Sequence, residues 1–136
     1  MDLKNAMEVA AMGMKAQGTR MRVISENLAN AETTGEKPGE DPYRRQLVTF
    51  KNILDRNTKL HKVEVNNIIT DNSDFVLKYD PNHPAADEAG YIKKPNVNTL
   101  VEMMDMRESQ RSYEANLGVI QMSRSMLNRT IDLLRG

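Results

Sequence analysis

The chain has 136 residues, with 19 Lys+Arg against 19 Asp+Glu, so it lacks the basic excess selected by nucleic acid or an anionic membrane surface. It has no cysteine, which excludes disulfides, thiolate metal sites and Cys nucleophiles. No apolar run is long enough to span a bilayer, no cationic stretch leads into a compact apolar core as in a secretory signal, and the absence of Trp argues against an aromatic-lined pocket.

All ten Met lie within residues 1–21 or 103–126, and all five Pro (Pro38, Pro42, Pro81, Pro84, Pro95) lie between. Proline stops helices, so long helices are confined to the two ends. Three parts are expected: an N-terminal helix in 1–34, a small loop/β middle in 35–97, and a C-terminal helix in 98–136. In the first, Leu3, Met7, Ala10, Met14, Gln17, Met21, Ile24, Leu28 and Ala31 recur in alternating steps of four and three, a heptad seam. As one helix this segment is roughly 43 Å long. Lys4 and Glu8 are expected on a solvated edge. Residues 6–16 are apolar or small around most of the circumference, so cover on more than one side is expected, supplied by other subunits.

The middle carries few large apolar residues. Thr33–Pro42 is turn chemistry, Arg44–Phe50 alternates weakly as a strand, and Asp80–Lys94 reads as irregular. Val63, Val65 and Ile69 alternate, as do Phe75, Leu77 and Tyr79, with Asp71-Asn72-Ser73-Asp74 between them; the expectation is a β-hairpin joining these two runs.

The C-terminal helix is expected to start near Asn98 or Thr99, since Thr99 and Glu102 have the spacing of a capping box. Thr99, Met103, Met106, Gln110, Tyr113, Leu117, Ile120, Arg124, Leu127, Ile131 and Leu134 keep the heptad alternation, and Leu100, Met104, Val119, Met126 and Leu133 widen the apolar face. The fold class is therefore mainly α: long terminal helices pairing as an antiparallel, coiled-coil-like unit around a small irregular or β-hairpin middle. The polar seam positions Gln17, Gln110 and Arg124 are expected to set register.

The inventory for chemistry is poor. His61 and His83 are the only histidines, and His83 with Asp87 is at most half of a metal site. Asp71, Asp74 and Asp80 lack the glycine and glutamate of a calcium loop, and Gly35 and Gly39 follow no strand. Arg44 and Arg45 are a basic pair on what reads as a solvated edge. No catalytic residue, metal or cofactor is expected. Terminal helices that need neighbours describe a subunit of an assembly. The other reading is a soluble coiled-coil dimer acting as a regulator or chaperone-like binding module. A narrow apolar stripe would favour the dimer, and a broad apolar face the assembly.

Residues Ser25–Gly35, SENLANAETTG, resemble the signature near the N-terminus of flagellar rod and hook proteins, carried by Ser25, Asn27, Leu28, Ala29, Asn30, Thr33 and Gly35. The asparagines and glycine are expected to provide the left-handed backbone where the helix ends and the chain turns away. Pro42-Tyr43-Arg44-Arg45, the run Tyr79-Asp80-Pro81-Asn82-His83-Pro84, Gly90-Tyr91 and Pro95-Asn96 resemble the proximal-rod branch of that family. The resemblance covers residues 1–50 and 79–136 and is weak over 51–78. It implies a non-enzymatic rod subunit, with no nucleic-acid partner and no direct membrane insertion. Such a subunit is exported by the flagellar type III apparatus without a cleaved signal peptide and assembled in the periplasm. Its implied partners are other copies of itself, other rod proteins, and the adaptor between rod base and MS ring. The helix contacts implied are Leu3, Met7, Ala10, Met14, Met21, Ile24 and Leu28 at one end. At the other they are Met103, Met106, Tyr113, Leu117, Ile120, Leu127, Ile131 and Leu134.

Overall fold

The computed structural model describes residues 2–136. Its elements in chain order are α1 (Leu3–Ala29), β1 (Gln46–Asp55), β2 (Leu60–Thr70), β3 (Val76–Tyr79), β4 (Tyr91–Lys94) and α2 (Thr99–Arg135). Two long terminal helices around a small antiparallel β middle match the expected class. The strand pairing differs. β1 pairs with β2, and β3 pairs with β4 in the register Val76↔Lys94, Leu77↔Lys93, Lys78↔Ile92, Tyr79↔Tyr91. The run Val63–Ile69 thus does not pair with Phe75–Tyr79. Its partner is set by the turn before it: Asp55 Oδ1 accepts the N–H groups of Asn57 and Thr58, and Lys59 takes a left-handed φ of 54°. Chain 51–59 has no alternation that would announce that strand. The second departure is β4, carved from a segment read as irregular; of its four residues only Ile92 is buried, so no period was visible.

The chain divides into two compact units, one of Met1–Met21, Val48–Asn67 and Arg107–Gly136, the other of Arg22–Leu47 and Ile68–Met106. In the first unit the β1–β2 hairpin meets α1. Lys62 on β2 is buried, and its Nζ lies 2.5 Å from Glu8 Oε1 and 2.6 Å from Asp55 Oδ2. Met12, Ala16 and Thr19 face Val63 and Val65 across a gap of about 270 Å³. Glu8 is exposed, as expected of the edge it shares with Lys4, and its carboxylate also pairs with Lys62. Of residues 6–16, Ala10 and Ala16 are buried within the chain and the others are half-buried or exposed. A lysine stem supplies part of the cover that the hairpin gives α1.

In the same unit α2 turns an unusual face inward. Ser109, Asn116 and Ser123, seven residues apart, are buried or half-buried, with Ile120 and Leu127 beside them. Asn116 fits because position 13 is glycine: a Cβ there would lie 2.8 Å from Asn116 Nδ2. Arg20 Nη2 stands 3.5 Å from Glu108 Oε2. Ser109 and Gln17 each bury a side-chain oxygen with no hydrogen-bond partner in the described residues. Gln110 and Arg124, expected in the seam, are exposed. Leu117, Ile131 and Leu134 are exposed as well, whereas Tyr113, Ile120 and Leu127 of the apolar heptad are half-buried, so Ser109, Asn116 and Ser123 take the inward places expected of Gln110, Leu117 and Arg124.

In the second unit Val23, Ile24, Ala31 and Ile92 form the apolar core, with Pro42, Pro95, Gly35 and Gly90 buried around it. Asn98 caps α2, its Oδ1 accepting the N–H groups of Leu100 and Val101 at 3.1 and 3.3 Å. Gly90 has φ 87°, and a Cβ on it would lie 2.9 Å from the Tyr79 ring.

Two outcomes follow from these contacts. Gly18 lies inside α1 with nothing near a Cβ, so Gly18→Ala should stabilise the fold by up to about 1 kcal/mol in urea unfolding, while Gly90→Ala should cost on the order of 1–2 kcal/mol. Asp55 is held down to about 2 from 3.8, first by Lys62 and then by the Asn57 and Thr58 N–H groups. A carboxyl depressed on folding contributes stability that is present above 3.8 and is lost as pH falls toward 2. Urea midpoints should drop over that window, and Lys62→Met should flatten the drop.

Candidate functional site

Two features carry chemistry that a plain helical hairpin does not need. The first is a buried polar hub in the second unit. Asn27, in the last turns of α1, is 1% exposed, and Glu102, in the first turn of α2, is 0% exposed. Asn27 Nδ2 donates to Gln46 O at 2.8 Å and to Glu102 Oε2 at 3.2 Å. Its Oδ1 accepts the Gln46 N–H at 2.9 Å and the Tyr43 hydroxyl at 2.9 Å. Both donors and both lone-pair directions of the amide are used. The paired bonds to Gln46 copy those of a neighbouring strand, so Asn27 holds the start of β1 as a ladder partner would.

Arg45 completes the hub. Its Nε donates to Glu102 Oε1, its Nη1 lies 3.4 Å from Asp71 Oδ2, and its Nη2 lies 3.6 Å from Asp105 Oδ2. Its backbone N–H donates to Asn96 Oδ1 at 2.8 Å, and Asn96 Nδ2 donates to Asp71 O at 3.0 Å. Burial pushes the Tyr43 hydroxyl up from its ordinary value, with the Glu26 and Glu102 charges adding to the effect. Asp71 is held below the usual carboxylate range, first by the Ser73 backbone N–H and only later by Arg45.

Of the signature residues, Asn27 is thus a hydrogen-bonding residue in right-handed helix. Asn30 also has no left-handed backbone; Lys59 is the one non-glycine with positive φ among the described residues. Asn30 Nδ2 instead donates to Glu26 O at 2.8 Å and its Oδ1 receives the Thr33 hydroxyl, closing the end of α1. Gly35 lacks positive φ too, and is needed because a Cβ would meet Glu40 O at 2.7 Å. Leu28 is half-buried; Ser25 and Ala29 are exposed. In the middle motif, Tyr43 and Asn96 belong to the hub, and Pro42 and Pro95 are buried. The Arg44 guanidinium sits 4.1 Å above the Phe75 ring, so it is not an edge charge. Tyr79 packs edge-on to Tyr91 at 5.3 Å, and Pro81 lies against Gly90. His83 Nδ1 accepts the Ala85 N–H, leaving Nε2 to donate to Thr34 Oγ1 at 3.2 Å; Pro84 is exposed. Glu102 and Arg45 were the functional residues sequence reasoning misplaced. A glutamate at the third residue past Thr99 reads as a capping partner, and only the fold shows Asn98 doing the capping alone.

The second feature is the outward face of α2. In the first unit Val119, Met122, Met126 and Leu133 form one exposed row, and Leu117, Ile131 and Leu134 another; Met122 is 68% and Leu134 83% exposed. In the second unit Leu100, Met103 and Met104 are exposed, while Met106 is half-buried. On α1 the expected contact residues Leu3, Met7, Met14, Met21 and Leu28 are half-buried, Ala10 and Ile24 are buried, and Tyr113 on α2 is half-buried. Among the described residues no group of three or more His, Cys, Asp or Glu could hold a metal ion, and no helix is long and apolar enough to cross a membrane.

Asn27→Leu should destabilise the fold by roughly 2–4 kcal/mol in urea unfolding, because it strands the Gln46 N–H and C=O together; each buried unpaired group costs about 1–3 kcal/mol. Asn30→Ala, which loses one partly buried bond, should cost about 1 kcal/mol.

Residues 7–37 match the family described as flagella basal body rod protein, and residues 88–133 match the C-terminal family of the flagellar basal body rod FlgEFG proteins. The flagellar basal-body rod protein FlgC of Agrobacterium fabrum is 51% identical over 133 residues, 98% of this chain and 96% of that protein. FlgC of Bacillus subtilis is 40% identical over 95% of this chain and 96% of its own length, and FlgC of Escherichia coli O157:H7 is 35% identical over 98% of each. With identity at this level along nearly the whole length, the chain belongs to the FlgC family of flagellar basal-body rod proteins.

Proposed function

We propose that this chain is a non-enzymatic structural subunit of the bacterial flagellar rod, polymerising through its terminal helices into the tubular shaft that transmits torque. The observation that carries the reading is the exposed apolar surface of α2. Its inward side mixes Ser109, Asn116 and Ser123 with half-buried Tyr113, Ile120 and Leu127, while Val119, Met122, Met126 and Leu133 stay exposed. Two exposed apolar rows are broader than the single stripe of a closed dimer, which favours burial against several neighbours over the coiled-coil regulator or chaperone-like module. Contacts between unlike surfaces propagate into helical arrays.

In this reading the core of the assembly is built by 1–34 and 98–136, and 35–97 braces them. The contacts come from the α1 residues Leu3 to Leu28 and the α2 residues Met103 to Leu134 named above. The partners are further copies, other rod proteins and the adaptor at the rod base. The chain reaches the periplasm through the flagellar type III apparatus without a cleaved signal peptide. Neither a cofactor nor nucleic acid takes part.

The test has two arms. A deletion strain should be non-motile and lack completed rods, and the wild-type gene should restore both. Met122→Glu with Leu133→Glu should fold with unchanged helicity, because both side chains are exposed, yet fail to restore swimming. Normal swimming by the deletion strain would overturn the reading.

A further inference from the structure

In the first unit the β1–β2 hairpin lies over α1 and is loosely anchored to it. Of the described residues Val48–Asn67, Lys62 alone is buried, and Phe50, Leu54 and Val63 are exposed. Val63 and Val65 face Met12, Ala16 and Thr19 across the gap of about 270 Å³. Side chains that line a gap forgo the dispersion contacts that close packing would give them. The hairpin therefore shields Ala16, which is 2% exposed, without being packed firmly against it.

The tip of the hairpin adds costs. Lys59 takes a left-handed φ of 54°, which a side chain disfavours, and Thr58 buries its hydroxyl oxygen with no hydrogen-bond partner in the described residues. The two strands hold each other. The Thr49 hydroxyl donates to Asn67 O at 3.1 Å and accepts the Asn67 N–H at 3.2 Å, His61 Nδ1 lies 3.1 Å from Asn52 Oδ1, and Lys62 Nζ lies 2.6 Å from Asp55 Oδ2. An ion pair crosses to α1, with Lys62 Nζ 2.5 Å from Glu8 Oε1. Glu8 is exposed, and an ion pair with one partner in water is a weak tether. A two-stranded hairpin has no core of its own, so its place depends on that tether and on a loosely filled contact.

We propose that the β1–β2 hairpin is a strap over α1, opening by itself while α1 stays helical, and so controlling access to the strip of α1 at Met12, Ala16 and Thr19. Elements with little buried apolar contact open at a lower free energy than the chain as a whole. The Lys62–Glu8 pair is the catch. The closed strap denies the strip to any neighbour, and the open strap presents it. The strap is a property of the isolated chain, whatever that chain assembles into.

The chain has no cysteine, so a single introduced thiol reports the opening. Ala16→Cys in the full-length protein is reacted with iodoacetamide over a series of low urea concentrations, and global unfolding is followed in parallel by circular dichroism. Local opening exposes little surface, so labelling should be nearly independent of urea in this range and faster than global unfolding allows. Glu8→Ala, at an exposed helical position, should speed labelling about two- to fivefold, the range of a partly exposed ion pair, with helicity unchanged. Thr19→Cys, close to isosteric, gives the same readout where Ala16→Cys does not fold. Urea-independent labelling that Glu8→Ala accelerates supports the strap. Labelling that follows the global unfolding curve throughout, or that Glu8→Ala leaves unchanged, overturns it.

Discussion

A carboxylate with no solvent exposure, Glu102, is the constraint on which the second unit is built. A buried charge is tolerated only when paired and hydrogen-bonded, and here the two donors come from different stretches of chain. Asn27 arrives on α1 and Arg45 from the residue before β1, where Asp71 from the end of β2 holds the other side of the guanidinium. Asn96 ties Arg45 to the Asp71–Ser73 turn just before α2 begins. Segments far apart in sequence therefore converge on the Arg45–Glu102 pair.

The rest of the molecule is built with an economy of apolar burial. The fully buried apolar residues are small or medium in size, Ala10, Ala16, Val23, Ile24, Ala31 and Ile92. Methionine and leucine, which an isolated helical hairpin would bury, are spread over the outward face of α2. A soluble domain rarely leaves contiguous apolar rows wet, so this distribution points to neighbours. The hairpin β1–β2 adds to the same logic by covering the apolar flank of α1 with a lysine stem clasped between Glu8 and Asp55.

The signature residues show how a motif can be read correctly for family and wrongly for mechanism. SENLANAETTG suggested left-handed turn geometry because Asn and Gly tolerate it. In the fold, Asn27 works as a substitute strand partner, Asn30 closes a helix end, and Gly35 yields space to the Glu40 backbone. Each residue type has more than one physical use, and for Asn27 the choice depends on contacts with chain 16 to 75 residues away. Arg44 was likewise read as an exposed charge until Phe75 supplied the ring beneath it.

By itself the sequence determined the two helices, their approximate ends and the apolar faces, because helical periodicity and proline placement are local signals. It also determined family, because Asn27, Asn30, Thr33, Gly35 and the Pro- and Tyr-containing middle motifs stand at fixed separations. The tertiary structure alone decided the strand partners and the buried role of Glu102. It also decided that Ser109 and Asn116 face inward beside Tyr113 and Ile120 while Gln110 and Leu117 stay outside. A heptad pattern states which residues are apolar but not which neighbour covers them. The inward side of α2 mixes Ser109, Asn116 and Ser123 with Tyr113, Ile120 and Leu127, and only the contacts of the folded chain select that mixture.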